Sequence, residues 1–389
     1  MLAIHLSLAA LAVAVLAVRP RSNASAVVVA AIAVVELGLG AAGSGAITVV
    51  GPVIAFLAAA MTLAQVASRS GLGDRAALAL ARAARGHALA LYALACALCA
   101  VLTAIVSLDG AVVLMVPVVL ALHRRHGAPL APLLLGVVGV ANVASIAVPQ
   151  GNPTNLVVIG RLHMSLLGFT GQMLVPGIAA TLICAIAIAL LEHRRLRVRY
   201  QPPRSRPEPL SCEQRVSVIA LGAAALAAWV APVAGIAPWW PFVAAVSISL
   251  LATRSWSALV VPWRIAVQIA SLVIIAGAVG VRVPALHTAA WPILLTVAVA
   301  TGGAAALINN LPASVWVSSL LTSGPIAFAA VVGLAVGALA APQGSVATLI
   351  AADLAGPEAA GGAVFRIRSL MPVALAALLV AVLVLQHPI

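Results

Sequence analysis

The sequence predicts an all-α polytopic membrane protein: two inverted repeats, about 10 transmembrane helices, two re-entrant helical hairpins and two broken helices. Three observations predict it. The first is composition. The 389 residues are 64% hydrophobic and 7% charged, with a mean hydropathy of +1.20. A soluble domain carries about 25% charged residues, and no soluble fold of this size hides so much apolar surface, so lipid is the solvent for most of the chain. The alternating polar and apolar pattern of a transmembrane β-barrel is absent. The second is charge placement: every basic residue is Arg, and these gather in a few polar segments. The third is a repeat. The stretch VPQGNPTNLVV at 148–158 returns 193 residues later as APQGSVATLI at 341–350.

The elements follow in chain order. Apolar runs at 2–18, 25–42 and 46–66 are long enough to span, some only just, against the ~20 residues a crossing needs. The first lacks the basic start and small-residue cleavage site of a signal peptide and reads as a retained helix. Residues 68–87 carry Arg on one face and Ala/Leu on the other, the pattern of an interfacial helix. Segment 88–122 is apolar but interrupted by Ser107-Leu108-Asp109-Gly110, and both its flanks are basic. Entry and exit on the same face make it a re-entrant hairpin with that tetrapeptide at its tip, tolerable only where buried in protein or lining a cavity. A broken helix at 130–160 and a span at 173–191 complete the first repeat, 1–191. The Arg- and Pro-rich segment 192–215 is a cytoplasmic linker. The second repeat, 216–389, has spans at 216–232, 238–252 and 265–281, a hairpin at 291–321 with Asn309-Asn310-Leu311-Pro312 at its tip, a broken helix at 326–354 and a last span at 370–387.

Five spans per half reverse the orientation of the second half relative to the first. This arrangement puts both termini outside and the linker inside. Nineteen Arg then face the cytoplasm, including Arg21, Arg204, Arg206, Arg254, Arg264, Arg366 and Arg368, against two, Arg161 and Arg282, outside. That asymmetry fits the positive-inside rule for a multi-pass protein of the cell inner (plasma) membrane. The net charge of +13 therefore reads as topology, with no nucleic-acid partner. Cys96 and Cys99 form a CxxC inside an apolar run and read as small buried hydrophobes. Trp239, Trp240 and Trp263 fall at span ends as interfacial anchors.

Inverted repeats with discontinuous helices are the architecture of secondary transporters, with a site at the midplane between repeats. Gly151 and Pro153 forbid a continuous helix through the first break. Freed carbonyls and the side chains of Asn152, Thr154 and Asn155 become ligand groups there, and a half-helix beginning near Leu156 aims its positive end at them. Gly344, Ser345 and Thr348 take the equivalent part in the second break. Asp109, next to Gly110 at the first tip, is the proton-coupling candidate, because an intramembrane ionisable residue marks function. Asn309 and Asn310 offer donors and acceptors at the second tip. Glu36 and Asp353 are weaker candidates.

The run from RSGLGDRAALALARAARG through SLDGAVVLMVPVVLALHRR to GNPTNLVV, then LINNLPA and GSVATLI, resembles the arsenite permease family of the ion transporter superfamily. That superfamily also holds divalent anion–sodium symporters, citrate carriers and some sodium–proton antiporters. The Ser-Asn-Thr triplets usual in dicarboxylate carriers are absent from this sequence. The resemblance implies a secondary active transporter working by alternating access, an arsenite or antimonite efflux permease coupled to protons. Alternatives are a sodium- or proton-coupled inorganic anion or dicarboxylate transporter, a sodium–proton antiporter, and, more distantly, an ion channel. No HExxH, serine-nucleophile elbow or carboxylate pair points to an enzyme, and no cofactor or bound metal is expected beyond a coupling H+ or Na+. The expected partners are a small inorganic substrate, the bilayer and a second copy in a homodimer. Any ATP drive would need a separate ATPase subunit, since no nucleotide-binding loop is present.

Overall fold

Each apolar run of the sequence becomes helix in the computed structural model, which describes all residues except 20–21, 203–208, 232–235, 238, 281–289, 323, 360–369 and 387–389. Arg21, Arg204, Arg206, Arg282, Arg366 and Arg368 lie outside the described residues, as does the middle of the linker. Seventeen helices and no β-strand are found among the described residues. The first half comprises α1 (Leu2–Val18), α2 (Asn23–Gly38), α3 (Ser44–Arg69), α4 (Leu72–Ala83), α5 (Ala88–His126), α6 (Leu130–Ala144), α7 (Pro153–Leu162) and α8 (Leu166–Leu191). After α9 (His193–Leu196) in the linker come α10 (Cys212–Val230), α11 (Trp239–Thr253), α12 (Trp263–Val279), α13 (Trp291–Ile308), α14 (Asn310–Leu320), α15 (Pro325–Val336), α16 (Val346–Ala359) and α17 (Met371–Gln386).

Several boundaries differ from the sequence expectation by about four residues, as at the end of α2 and the start of α10, and two differences bear on the site and its support. The span expected at 173–191 starts at Leu166, because Ser165 caps its N-terminus through the Gly168 N–H at 2.9 Å and Pro176 is absorbed inside the helix. The half-helix after the first break starts at Pro153 rather than near Leu156. Proline is preorganised for the first helical position, and the Asn152 side chain caps it by accepting from the Thr154 N–H at 2.9 Å.

Helix α5 tests the first hairpin. A straight helix of 39 residues would run ~58 Å, about twice the hydrocarbon thickness. Instead its backbone leaves helical geometry at Val106 (φ −119°, ψ 15°) and Ser107 (φ 72°, ψ 168°). Both ends of α5 return to α4: Arg125 pairs with Asp74 at 2.9 Å, and His87 directly follows the α4 corner, where its N–H donates to the Ala84 carbonyl. The equivalent reversal in the second half is Asn309 (φ 80°, ψ 145°), which separates α13 from α14.

The central helices are buried almost throughout. Every residue of α6 from Ala131 to Ala144 is buried, and nearly all of α15 is. They share an apolar core with α5, α8, α13 and α17. Peripheral helices keep one greasy side outward, as α8 does with Leu167, Ile178, Leu182, Ile186 and Leu190. A second cluster joins α3, α10 and α11, where Phe56 and Phe242 meet edge to face at 4.9 Å. A third joins α1, α2 and α12. The irregular backbone of the first break is buried throughout, and that of the second is half-buried around Ala341, Pro342 and Gln343 and buried at Gly344 and Ser345; a membrane tolerates such backbone where protein or a cavity surrounds it.

Candidate functional site

The two breaks are copies of each other in their backbone. After α6 the chain makes two short 3-10 turns, with Val148 at φ −139°, ψ 151° and Asn152 at φ −146°, ψ 131° between and after them. After α15 the same positions are Ala341 (φ −143°, ψ 147°) and Ser345 (φ −134°, ψ 139°). The repeated Pro-Gln-Gly explains the likeness. A Cβ on Gly151 would stand 2.5 Å from the Ser145 carbonyl oxygen, and one on Gly344 would collide with the Ala338 carbonyl. Only glycine lets the chain fold back so closely. Each glutamine then reaches to a hairpin: Gln150 Nε2 donates to the Ala104 carbonyl at 3.2 Å and Gln343 Nε2 to the Ala306 carbonyl at 3.1 Å. Each acceptor lies three residues before its tip reversal, Ser107 or Asn309.

Other polar groups lock the breaks internally. Asn155 Nδ2 donates to the Ser145 and Val148 carbonyls at 2.8 and 3.0 Å, and Asn152 Nδ2 to Ser145 Oγ at 3.1 Å. At the second tip, Asn309 Nδ2 donates to the Gln343 carbonyl at 2.8 Å, while its Oδ1 accepts from the Leu311 N–H at 3.2 Å. Asn155 and Asn309 therefore shape the irregular backbone, a duty the sequence did not separate from ligand binding. Still without a partner are the buried Ser107 Oγ, Thr154 Oγ1, Asn155 Oδ1, Ser345 Oγ and Thr348 Oγ1. Buried polar atoms are nearly always hydrogen-bonded, so this concentration around two breaks and a tip is a feature to be explained.

The tips and breaks meet at one small pocket, lined by Leu108, Asp109, Asn152, Pro153, Asn310, Leu311, Ser345 and Val346. These form four equivalent pairs across the two halves: Leu108 with Asn310, Asp109 with Leu311, Asn152 with Ser345, and Pro153 with Val346. Each pair is the cap or first turn of a helix that starts at the pocket: the second limb of α5, α14, α7 and α16. Four helix N-termini thus converge on one point. Each brings the positive end of its dipole, which favours an anion, while the first-turn N–H groups of Thr154 and Asn155 in α7 and of Leu311 in α14 are already taken by Asn152 and Asn309. The free space is about 10 Å³, room for roughly one water molecule or bare ion.

Of the residues expected from sequence, Asp109, Asn152, Asn310 and Ser345 line this pocket. Gly110, Gly151, Thr154, Asn155, Gly344 and Thr348 stand behind it in the same tip and breaks. Asn309 instead faces a neighbouring cavity of about 240 Å³, together with Arg264 and Gln268. Glu36 is fully buried and held by His5 Nδ1 at 2.6 Å, within the α1–α2 pair, and Asp353 is exposed on α16. Sequence reasoning missed Leu108, Leu311, Val346, Arg264 and Gln268. Aligning the two tips residue by residue would have found Leu311, which occupies the place of Asp109. Cys96, Cys99 and Cys184 are buried and Cys212 is exposed.

A family model described as "Citrate transporter", CitMHS, matches residues 1–379.

Proposed function

The chain belongs to the citrate transporter family, CitMHS, a family of secondary transporters, and from that membership we propose that it carries a small multivalent oxyanion, in the first place citrate or a related carboxylate. The observation that carries this reading is the convergence of four helix N-termini on the pocket between the tips and breaks. Anionic oxygens gain from the positive ends of these dipoles in a buried site of low dielectric. The amide and hydroxyl side chains around them supply orientation. Asp109 carries the coupling proton: a carboxylate at the anion site repels the cargo when ionised and accepts it when neutral, so protonation and loading are linked. Opening the pocket alternately to each side, by movement of tips against breaks, completes the cycle.

A second reading is arsenite or antimonite efflux. Its support is the pocket lining, which has two amides, one hydroxyl and one carboxylate but no cationic side chain. Neutral arsenous acid, with three hydroxyls, suits that donor and acceptor set.

Uptake into inside-out and right-side-out vesicles separates the two. Citrate, succinate, sulfate and As(III) are supplied in turn, with and without a pH or sodium gradient. Gradient-driven accumulation of citrate or succinate is expected. Accumulation of As(III) alone would replace the first reading with the second.

A further inference from the structure

Beside the central pocket lies the cavity of about 240 Å³, bounded by the first turns of α12, the second tip and the start of α16, with Met61 of α3 across from them. Its polar lining is Arg264, Gln268 and Asn309. Two residues, Leu311 and Val346, line both this cavity and the central pocket. They are the partition between the two spaces. Both are apolar and belong to the second half, one from the tip and one from the break.

The loop before α12 is tied to α3 beside this cavity. Its Val260 N–H donates to Thr62 Oγ1 at 3.0 Å, and Ser257 Oγ accepts from Arg69 Nη1. Thr62 lies seven residues before Arg69, so the loop dips ~10 Å along α3 from its Arg-bearing end. Arg264 follows in the first turn of α12. Arg264, an exposed residue, lines the cavity at the positive end of α12, and a planar guanidinium suits bidentate contact with a carboxylate. Arg69, Arg254 and Arg264 mark this as the cytoplasmic side by charge.

We infer that this cavity is the cytoplasmic antechamber of the central site: Arg264, Gln268 and Asn309 hold a carboxylate or comparable oxyanion there, and Leu311 and Val346 gate its passage inward. The inference rests on the transport reading above and adds a loading station to it. Parting of Leu311 from Val346 joins the antechamber to the central pocket. A multivalent anion can then bridge from Arg264 to the four helix N-termini, a span the small pocket alone does not offer.

The test uses the full-length protein carrying Cys212→Ser, which removes the exposed native thiol. Leu349→Cys, or Met61→Cys as an independent reporter, places a thiol on the antechamber wall. A membrane-impermeant maleimide is applied to each face of oriented proteoliposomes made of zwitterionic lipid alone, so that no anionic headgroup competes. Labelling from the cytoplasmic face only is expected, slowed by millimolar citrate or succinate. Labelling from the outer face only, or equally from both, overturns the antechamber whatever the cargo is. Arg264→Gln is expected to raise the half-saturating anion concentration at the cytoplasmic face about tenfold and to abolish the protection, with the outer-face value unchanged. Unchanged half-saturation for an anion that is transported overturns the role of Arg264. If neither citrate, succinate nor sulfate is transported, the anion assignment falls, while the labelling pattern still judges the antechamber.

Discussion

At the level of single residues, the two halves are alike in backbone and unlike in chemistry. Asp109 faces the pocket where its counterpart is Leu311, and Asn310 does so where its counterpart is Leu108. The pocket therefore carries one carboxylate, not two, so the proton coupling proposed above falls to the first tip alone. Asp109→Asn is expected to cut pH-gradient-driven transport at least about tenfold, with anion exchange in the absence of a gradient retained. Proton-coupled flux at full rate in that variant would remove Asp109 from coupling. The glycines of the breaks make a second, steric prediction. Gly151→Ala forces a Cβ to within 2.5 Å of the Ser145 carbonyl, and overpacking of that kind costs about 1–3 kcal/mol. Thermal unfolding in detergent should show the loss for Gly151→Ala and for Gly344→Ala. Gly160→Ala, with open space around the new methyl, is the control expected to be neutral or stabilising.

Among the elements, one glutamine side chain in each break reaches a hairpin, and in the second half the Asn309 amide adds a bond to the Gln343 carbonyl. The two bonds, Gln150 to Ala104 and Gln343 to Ala306, occupy the same place in their halves. Gln150→Leu and Gln343→Leu should each destabilise by about 1 kcal/mol, with similar magnitudes because the geometry is repeated. A clear inequality between them in a denaturation series would count against the equivalence of the halves. The linker is tied down in the same manner. Tyr200 donates its hydroxyl to the Ala81 carbonyl at 2.6 Å and its N–H to Gly86, closing the linker against the corner between α4 and α5. Burial pushes its hydroxyl pKa up, so it stays a neutral donor. Much of this level was legible in advance: Pro-Gln-Gly announced both breaks, and polar tetrapeptides announced both tips. The start of α7 is less legible, because proline both breaks a helix and opens one, and here Pro153 opens it.

For the molecule as a whole, orientation is the property most open to test. Cys212 begins α10 and is exposed, whereas Cys96, Cys99 and Cys184 are buried. An impermeant maleimide should label the native protein at Cys212 alone, and only from the cytoplasmic face. Labelling from outside would invert the topology and with it the side assigned to the Arg264 cavity. By itself the sequence determined the helical membrane class, the recurrence of one break motif in each half, the position of each break and the clustering of Arg in a few polar segments. These are local properties: hydropathy over about 20 residues, proline and glycine chemistry, and charge next to a span. The tertiary structure decided which residues share the pocket, that four helix N-termini point into it, that Asn155 and Asn309 serve the backbone first, and that Arg264 shares a cavity with Asn309. Those facts depend on packing between segments far apart in the chain, such as α5 against α16 and α12 against α14, and no local pattern encodes them.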